Sequence, residues 1–204
     1  MIALIKISIL LILFSMPSPA PIEMPTVSGD AGEVRIVVVE GVGSSRQSAP
    51  IAALREIGER VIGRPFAIVY GKHIAFGEEV QVPTLDTRRK NILSIEEIKT
   101  GLYKVVMEVE VPASSPVLNE VLRERIHRGE GELESGGGII SARDRARDDA
   151  MEKAIQSTVA ERYPGDSAPN RLNGRVFFLG TIREDIEEEN YTILARIKVW
   201  LVEP

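Results

Sequence analysis

From Ser141 to Tyr163 the chain reads SARDRARDDAMEKAIQSTVAERY, with Ala142, Ala146, Ala150 and Ala154 recurring every four residues beside Met151, Ile155 and Val159. That spacing is one face of a helix. An alanine stripe puts almost no side-chain bulk between the helix and its neighbour, so it requires a flat surface at close range. A β-sheet provides one. Arg143, Asp144, Arg145, Arg147 and Asp148 read as the charged outer face of this helix.

The sheet has to come from the rest of the chain, where 44% hydrophobic content over 204 residues supplies a core for one medium domain or two small ones. VRIVVVEGV is a β-prone run. Ala49, Ala53, Ile57 and Val61, with Leu54 beside them, then mark a helix, with Ser48 as its expected N-cap and Pro50 in the first turn. NILSIEEIKT and GLYKVVMEVEVP form a hairpin at Thr100-Gly101, with Val105, Met107, Val109 and Val111 alternating on its buried face. Between Gly63 and Asn91, short β-prone pieces such as FAIVY alternate with loop.

The order strand, helix, hairpin returns in the second half. After the alanine-striped helix comes YPGDSAPNRLNG, a loop by composition, and then RVFFLGTIRED and NYTILARIKVWLVEP make a hairpin around Glu187 to Asn190. In the closing strands Tyr103 matches Tyr191 and the alternation stays in register. The expectation is an α+β fold of mostly antiparallel sheet, with two successive β-α-β-β units at residues 33–112 and 129–204. A connector helix is expected over 113–128, because Ser114-Ser115-Pro116 is followed by the stripes Val117/Val121 and Leu118/Leu122/Ile126.

Gly41 and Gly43 sit where a dinucleotide fingerprint would begin, between strand and helix. Arg46 occupies the place of the third glycine, and no Gly-Lys-Ser/Thr tripeptide follows, so a P-loop is excluded. The pair reads instead as the corner between strand and helix. Gly136 to Gly138, ahead of the second helix, reads as its counterpart.

Lys6 followed by the apolar run Ile7 to Phe14, then by prolines and small residues, reads as a signal peptide or N-terminal anchor over residues 1–20. Ser18-Pro19-Ala20 offers a small-x-small site, although Pro21 after it opposes cleavage there. Residues 21–32 read as a flexible leader. The chain has no cysteine, which removes disulfides, thiol chemistry, thiolate metal sites and an acylated cysteine after the signal. Formal charge is −5, which argues against nucleic acid as a partner, and leaves membrane contact to the N-terminal segment if it is retained.

The stretch VVVEGVGSSRQSAPIAALREIGERV, followed after a loop by ILSIEEIKTGLYKVVMEVEV, resembles the N-terminal domain of flagellar assembly protein T and a family of small envelope lipoproteins. Glu40-Gly41, Ala49, Ala53 and Tyr103 to Val111 carry the likeness, and GEGELESGGGIISARDRARDDAMEKA looks like the same unit again. The resemblance implies an exported, non-enzymatic module of a multi-protein envelope structure such as a flagellar basal body. Its partners would be envelope or basal-body proteins or further copies of itself. The chain is too short for the flagellar protein's further domains, and it lacks the lipoproteins' cysteine.

Residues with catalytic potential are sparse. His73 and His127 stand alone, and there is no HExxH or GxSxG element. Asp148-Asp149, Asp185 and Glu187 to Glu189 could serve a carboxylate-dependent hydrolase if they met His73 or His127 in a cleft, but their setting reads as solvated charge without EF-hand spacing. A binder of small ligands on the open side of a sheet is the remaining alternative. Trp200 reads as core, Arg88-Arg89-Lys90 as a solvated loop, and Asn190-Tyr191-Thr192 as a chance glycosylation match. No catalytic, cofactor or metal residue is assigned.

Overall fold

A computed structural model describes residues 34–69, 73–77, 89–99, 101–112, 122–133, 138–165, 168–186 and 189–202. The expected signal and leader, Arg88, Thr100, residues 113–121, Gly136, Gly137, Glu187 and Glu188 lie outside them. The fold is α+β and its described strand pairs are all antiparallel.

In the first half, β1 (Val34–Gly43) leads into α1 (Ser48–Val61), and β4 (Lys90–Lys99) and β5 (Leu102–Pro112) form the expected hairpin. Gly101, at φ +73°, makes its turn. The three strands lie in the order β1-β5-β4. Alternation along β5 sends Val105, Met107, Val109 and Val111 to one face, where they meet Val37, Val39 and the α1 stripe Ala49, Ala53, Ile57 and Val61.

In the second half, β6 (Glu124–Glu132), α2 (Ile139–Arg162), β7 (Arg171–Ile186) and β8 (Asn190–Val202) follow the same plan, with strands in the order β6-β8-β7. The strand order (first, last, middle) is the same in both sets of three. Registers correspond too: Gly43 faces Tyr103 and Gly41 faces Val105, as Gly131 faces Tyr191 and Gly129 faces Ile193. A β-bulge falls at Leu93, opposite Val106 and Met107, and another at Ile182, opposite Leu194 and Ala195. Counted from the matched tyrosines, these are the same place.

The short β2 (Arg64–Val69) and β3 (His73–Phe76) resolve the ambiguous stretch after α1. They do not join the first sheet. Gly63, at φ +77°, turns the chain out of α1, and β2 pairs with residues 171–176 of β7, giving a five-stranded sheet in the order β3-β2-β7-β8-β6. The first half therefore lends a hairpin to the second.

Residues 124–128, expected as the end of a connector helix, form the start of β6 instead. The apolar positions Leu122 and Ile126 suit either period, but Ile126 is 57% exposed on a strand whose neighbours are charged. Pairing with β8 from Lys198 to Asn190 decided the conformation, a long-range cause that a local stripe does not register.

Candidate functional site

Both glycine pairs lie within strands, and their role is packing. A Cβ on Gly41 would overlap the backbone of Ala49 and Ala53 in α1, and one on Gly129 would overlap the Ala146 carbonyl and reach 2.8 Å from the Ala150 nitrogen in α2. The glycines remove bulk from the strand and the alanines remove it from the helix. Gly41 and Gly43 are neither a phosphate loop nor the corner, since they pair with β5 while Ser44 to Gln47 make the turn. The second-half counterpart is Gly129 and Gly131, in place of the expected Gly136 to Gly138. Gln47 is the N-cap of α1 where Ser48 was expected; Ser48 Oγ accepts the Ser45 N-H at 2.9 Å, and Ser45 Oγ accepts the Ser48 N-H at 3.0 Å.

Close packing of each helix on its own sheet leaves one flank of each helix to meet the other half. Arg143 and Arg147 on α2, expected on an outer face, are 5% and 4% exposed, and on α1 Glu56 and Glu59 are 5% and 3% exposed. Arg147 donates to Glu59 across the two helices, while its guanidinium lies 4.3 Å from the centre of the Phe178 ring. Arg143 donates to Glu184 Oε1 from Nε at 3.1 Å and from a terminal nitrogen at 2.9 Å. The other Glu184 oxygen accepts the Tyr191 hydroxyl. Around this core, Arg55 sits 3.5 Å from Asp144 and Arg64 sits 2.7 Å from Asp148.

Burial and pairing pull the acid groups in opposite directions. Burial is the main influence on Glu56 and raises its carboxyl above the ordinary value, against the pull of Arg147 and Arg143. Burial would raise Glu184 as well, but the charge and hydrogen bonds of Arg143, with the Tyr191 hydroxyl, outweigh it and hold the carboxyl below its ordinary value. Tyr191 is pushed up by burial and by Glu184, so its phenol stays protonated. The network is chemically a lock: Arg147 of α2 bonds Glu59 of α1, and Arg143 of α2 bonds Glu184 of β7, which also accepts the Tyr191 hydroxyl of β8.

The candidates for chemistry are dispersed. Asp148 points to the α1 side of α2 and meets Arg64, whereas Asp149 accepts from the Glu130 N-H and from Lys153 on the β6 side. His73 is on β3, at the far edge of the five-stranded sheet from His127 on β6. His127 is shifted down by burial, then by Arg125 and Lys153. Asp185 pairs with Arg183 at the hairpin end, and Arg89 and Lys90 lie at the start of β4. Among the described residues no three His, Cys, Asp or Glu are grouped to hold a metal ion.

Trp200 is partly buried with Leu122 over Phe177 and Leu179, on the sheet face opposite α2. An open groove of about 550 Å³ passes its edge, lined also by Arg125, Thr158 and Glu161, with Arg125 and Arg123 both paired to Glu161. Tyr191 and Thr192 are buried in β8, which places two thirds of the Asn190-Tyr191-Thr192 match inside the fold.

The charge network was not foreseen from sequence. Its only local sign is that Arg143/Arg147 and Glu56/Glu59 are spaced by four and by three, pairs that share a helix flank. No protein-family model, curated protein or solved structure matches the chain.

Proposed function

We propose that the chain is an exported, non-enzymatic assembly module of the cell envelope, built from two copies of one structural unit. The observation that carries this reading is the agreement between halves: strand order, register, glycine pairs, tyrosine and bulge all recur. A unit used twice and bolted to itself through buried charges is a construction element, with its strongest polar groups spent on internal cohesion. The N-terminal pattern of Lys6 and Ile7 to Phe14 supports export. The resemblance to the N-terminal domain of flagellar assembly protein T supports a basal-body role in particular.

Two experiments test this together. Residues 1–32 fused to a reporter that is active only outside the cytoplasm should switch it on; silence would remove export. The tagged chain, cross-linked in intact source cells, should recover structural envelope proteins, and its deletion should impair their assembly. Normal assembly after deletion, with nothing recovered, would leave the module reading without support.

A further inference from the structure

In the second half, α1 lies along the flank between α2 and β7: Arg147 holds Glu59, Glu56 lies near Arg143 and Glu184, Asp148 holds Arg64 just beyond α1, and Phe178, Thr181 and Glu184 share the face of β7 on that flank. Aligning Gly41 with Gly129 places Ala49 and Ala53 where Ala146 and Ala150 stand. The same alignment puts Arg46, Pro50 and Ile51 of α1 and its approach at the positions of Arg143, Arg147 and Asp148. Along β4, Lys90, Ile92 and Ile95 take the positions of Phe178, Thr181 and Glu184, counted through Val109, Met107 and Val105 of β5.

The first half therefore has the matching flank, a slot that no element fills among the described residues. Ile51 is 68% exposed and Ile92 48% exposed, although each belongs to a face that is covered in the other half. The lining has also changed character. Asp148 is replaced by Ile51, Thr181 by Ile92 and Glu184 by Ile95, whereas the cation of Arg143 is kept as Arg46, which is exposed and lies 5.9 Å from the Tyr103 ring centre. Lys90 adds a second positive charge at the other end.

We propose that this slot docks a helix from a partner protein, with an apolar stripe for Ile51, Ile92 and Ile95 and carboxylates for Arg46 and Lys90. The element type follows from the internal precedent, in which a helix lies along the matching flank. The acidic requirement follows from Arg46, which keeps the cation of Arg143 that faces Glu56 in the other half, and from the added Lys90; Pro50 takes the place of Arg147. Among the described residues a second copy offers no such helix: the acidic flank of α1 is buried against α2, and Asp149 and Lys153 on the opposite side of α2 are tied to β6. The slot belongs to the folded chain whether or not the chain is exported.

The probes are two stapled fourteen-residue helices that share a leucine stripe, one flanked by glutamates and one by lysines. Each is titrated into the full chain carrying labelled isoleucine δ-methyls. The glutamate peptide should shift Ile51, Ile92 and Ile95 and bind at least ten-fold more tightly than the lysine peptide. Ile51→Asp with Ile92→Thr, the residues found at the matching places in the second half, should weaken it ten-fold or more while the Ile193 and Ile197 signals stay in place. Equal affinity for both peptides, or shifts away from the slot, would overturn the proposal. So would a dimer dispersed by the same double substitution, which would make a second copy the occupant. A change of the slot methyls on removing residues 1–20 would likewise overturn it in favour of the N-terminal segment.

Discussion

Glu59 of α1 and Arg147 of α2 form an ion pair between the two halves with side chains only 3% and 5% exposed. Desolvating two charges is costly, and the pair persists because Arg147 also stacks on Phe178 and because Glu56 lies close by. Removing one partner strands the other. Glu59→Ala should therefore destabilise the chain by about 3 kcal/mol. Glu59→Leu combined with Arg147→Met should cost less than Glu59→Leu or Arg147→Met alone, because the paired charges leave together while Arg143 still faces Glu56. Urea unfolding of the four proteins checks this, and additive losses would mean that the two side chains are not coupled.

Glu56 gives the network a pH dependence. Its carboxyl is raised by burial from an ordinary 4.5, so the folded chain holds the proton more tightly than the unfolded chain does. Its ionisation therefore lowers stability as pH rises from 4.5 through the folded value. Glu184 works the other way: held below 4.5, it stabilises above that pH, and the contribution is lost as pH falls through its folded value. Glu56→Gln should match the parent at pH 4 and be the more stable protein at pH 8, read from urea midpoints. A less stable variant at pH 8 would make the Glu56 anion a needed counter-ion of Arg143 and Arg147.

The legible parts of this fold are those governed by local period. The alanine stripe of α2, the alternation of Val105 to Val111 and the two hairpins follow from spacing alone. Residues 124–128 do not, because their conformation is decided by β8, some seventy positions away in sequence. The network was hidden for a related reason. Arg143 and Arg147 look solvated on a helix read by itself, and only the docking of α1 turns that flank inward. Gly41 and Gly43 were visible as unusual, but their purpose depends on Ala49 and Ala53 lying above them.

Helix α2 starts without side-chain help. Gly138 is its N-cap, in extended backbone at φ −65° and ψ 163°, with no side-chain cap and no acidic residue in the first turn. A Cβ there meets nothing within 4 Å. Gly138→Ser can offer its side-chain oxygen to a first-turn N-H such as that of Ile140 and should stabilise the chain by about 0.5 kcal/mol. Thermal unfolding should show a small rise in midpoint, and a fall would mean that the glycine backbone is needed in another conformation.

Gly129 is the opposite case, since it has no room for even one methyl. A Cβ would overlap the Ala146 carbonyl, and that atom belongs to a helix whose Ala142, Ala146, Ala150 and Ala154 are all fully buried against the sheet. The helix must lift, and lifting α2 displaces Arg143 and Arg147 from Glu184 and Glu59. Gly129→Ala should thus cost at least about 3 kcal/mol, the upper range for an overpacked core, and Gly41→Ala should act likewise through α1. Because the network spans both halves, either substitution should lower the midpoint of one shared unfolding transition. Calorimetry separates the outcomes: one peak shifted by both variants fits a single cooperative body, whereas two peaks, each moved by one glycine, would mean that the ion pairs do not couple the halves.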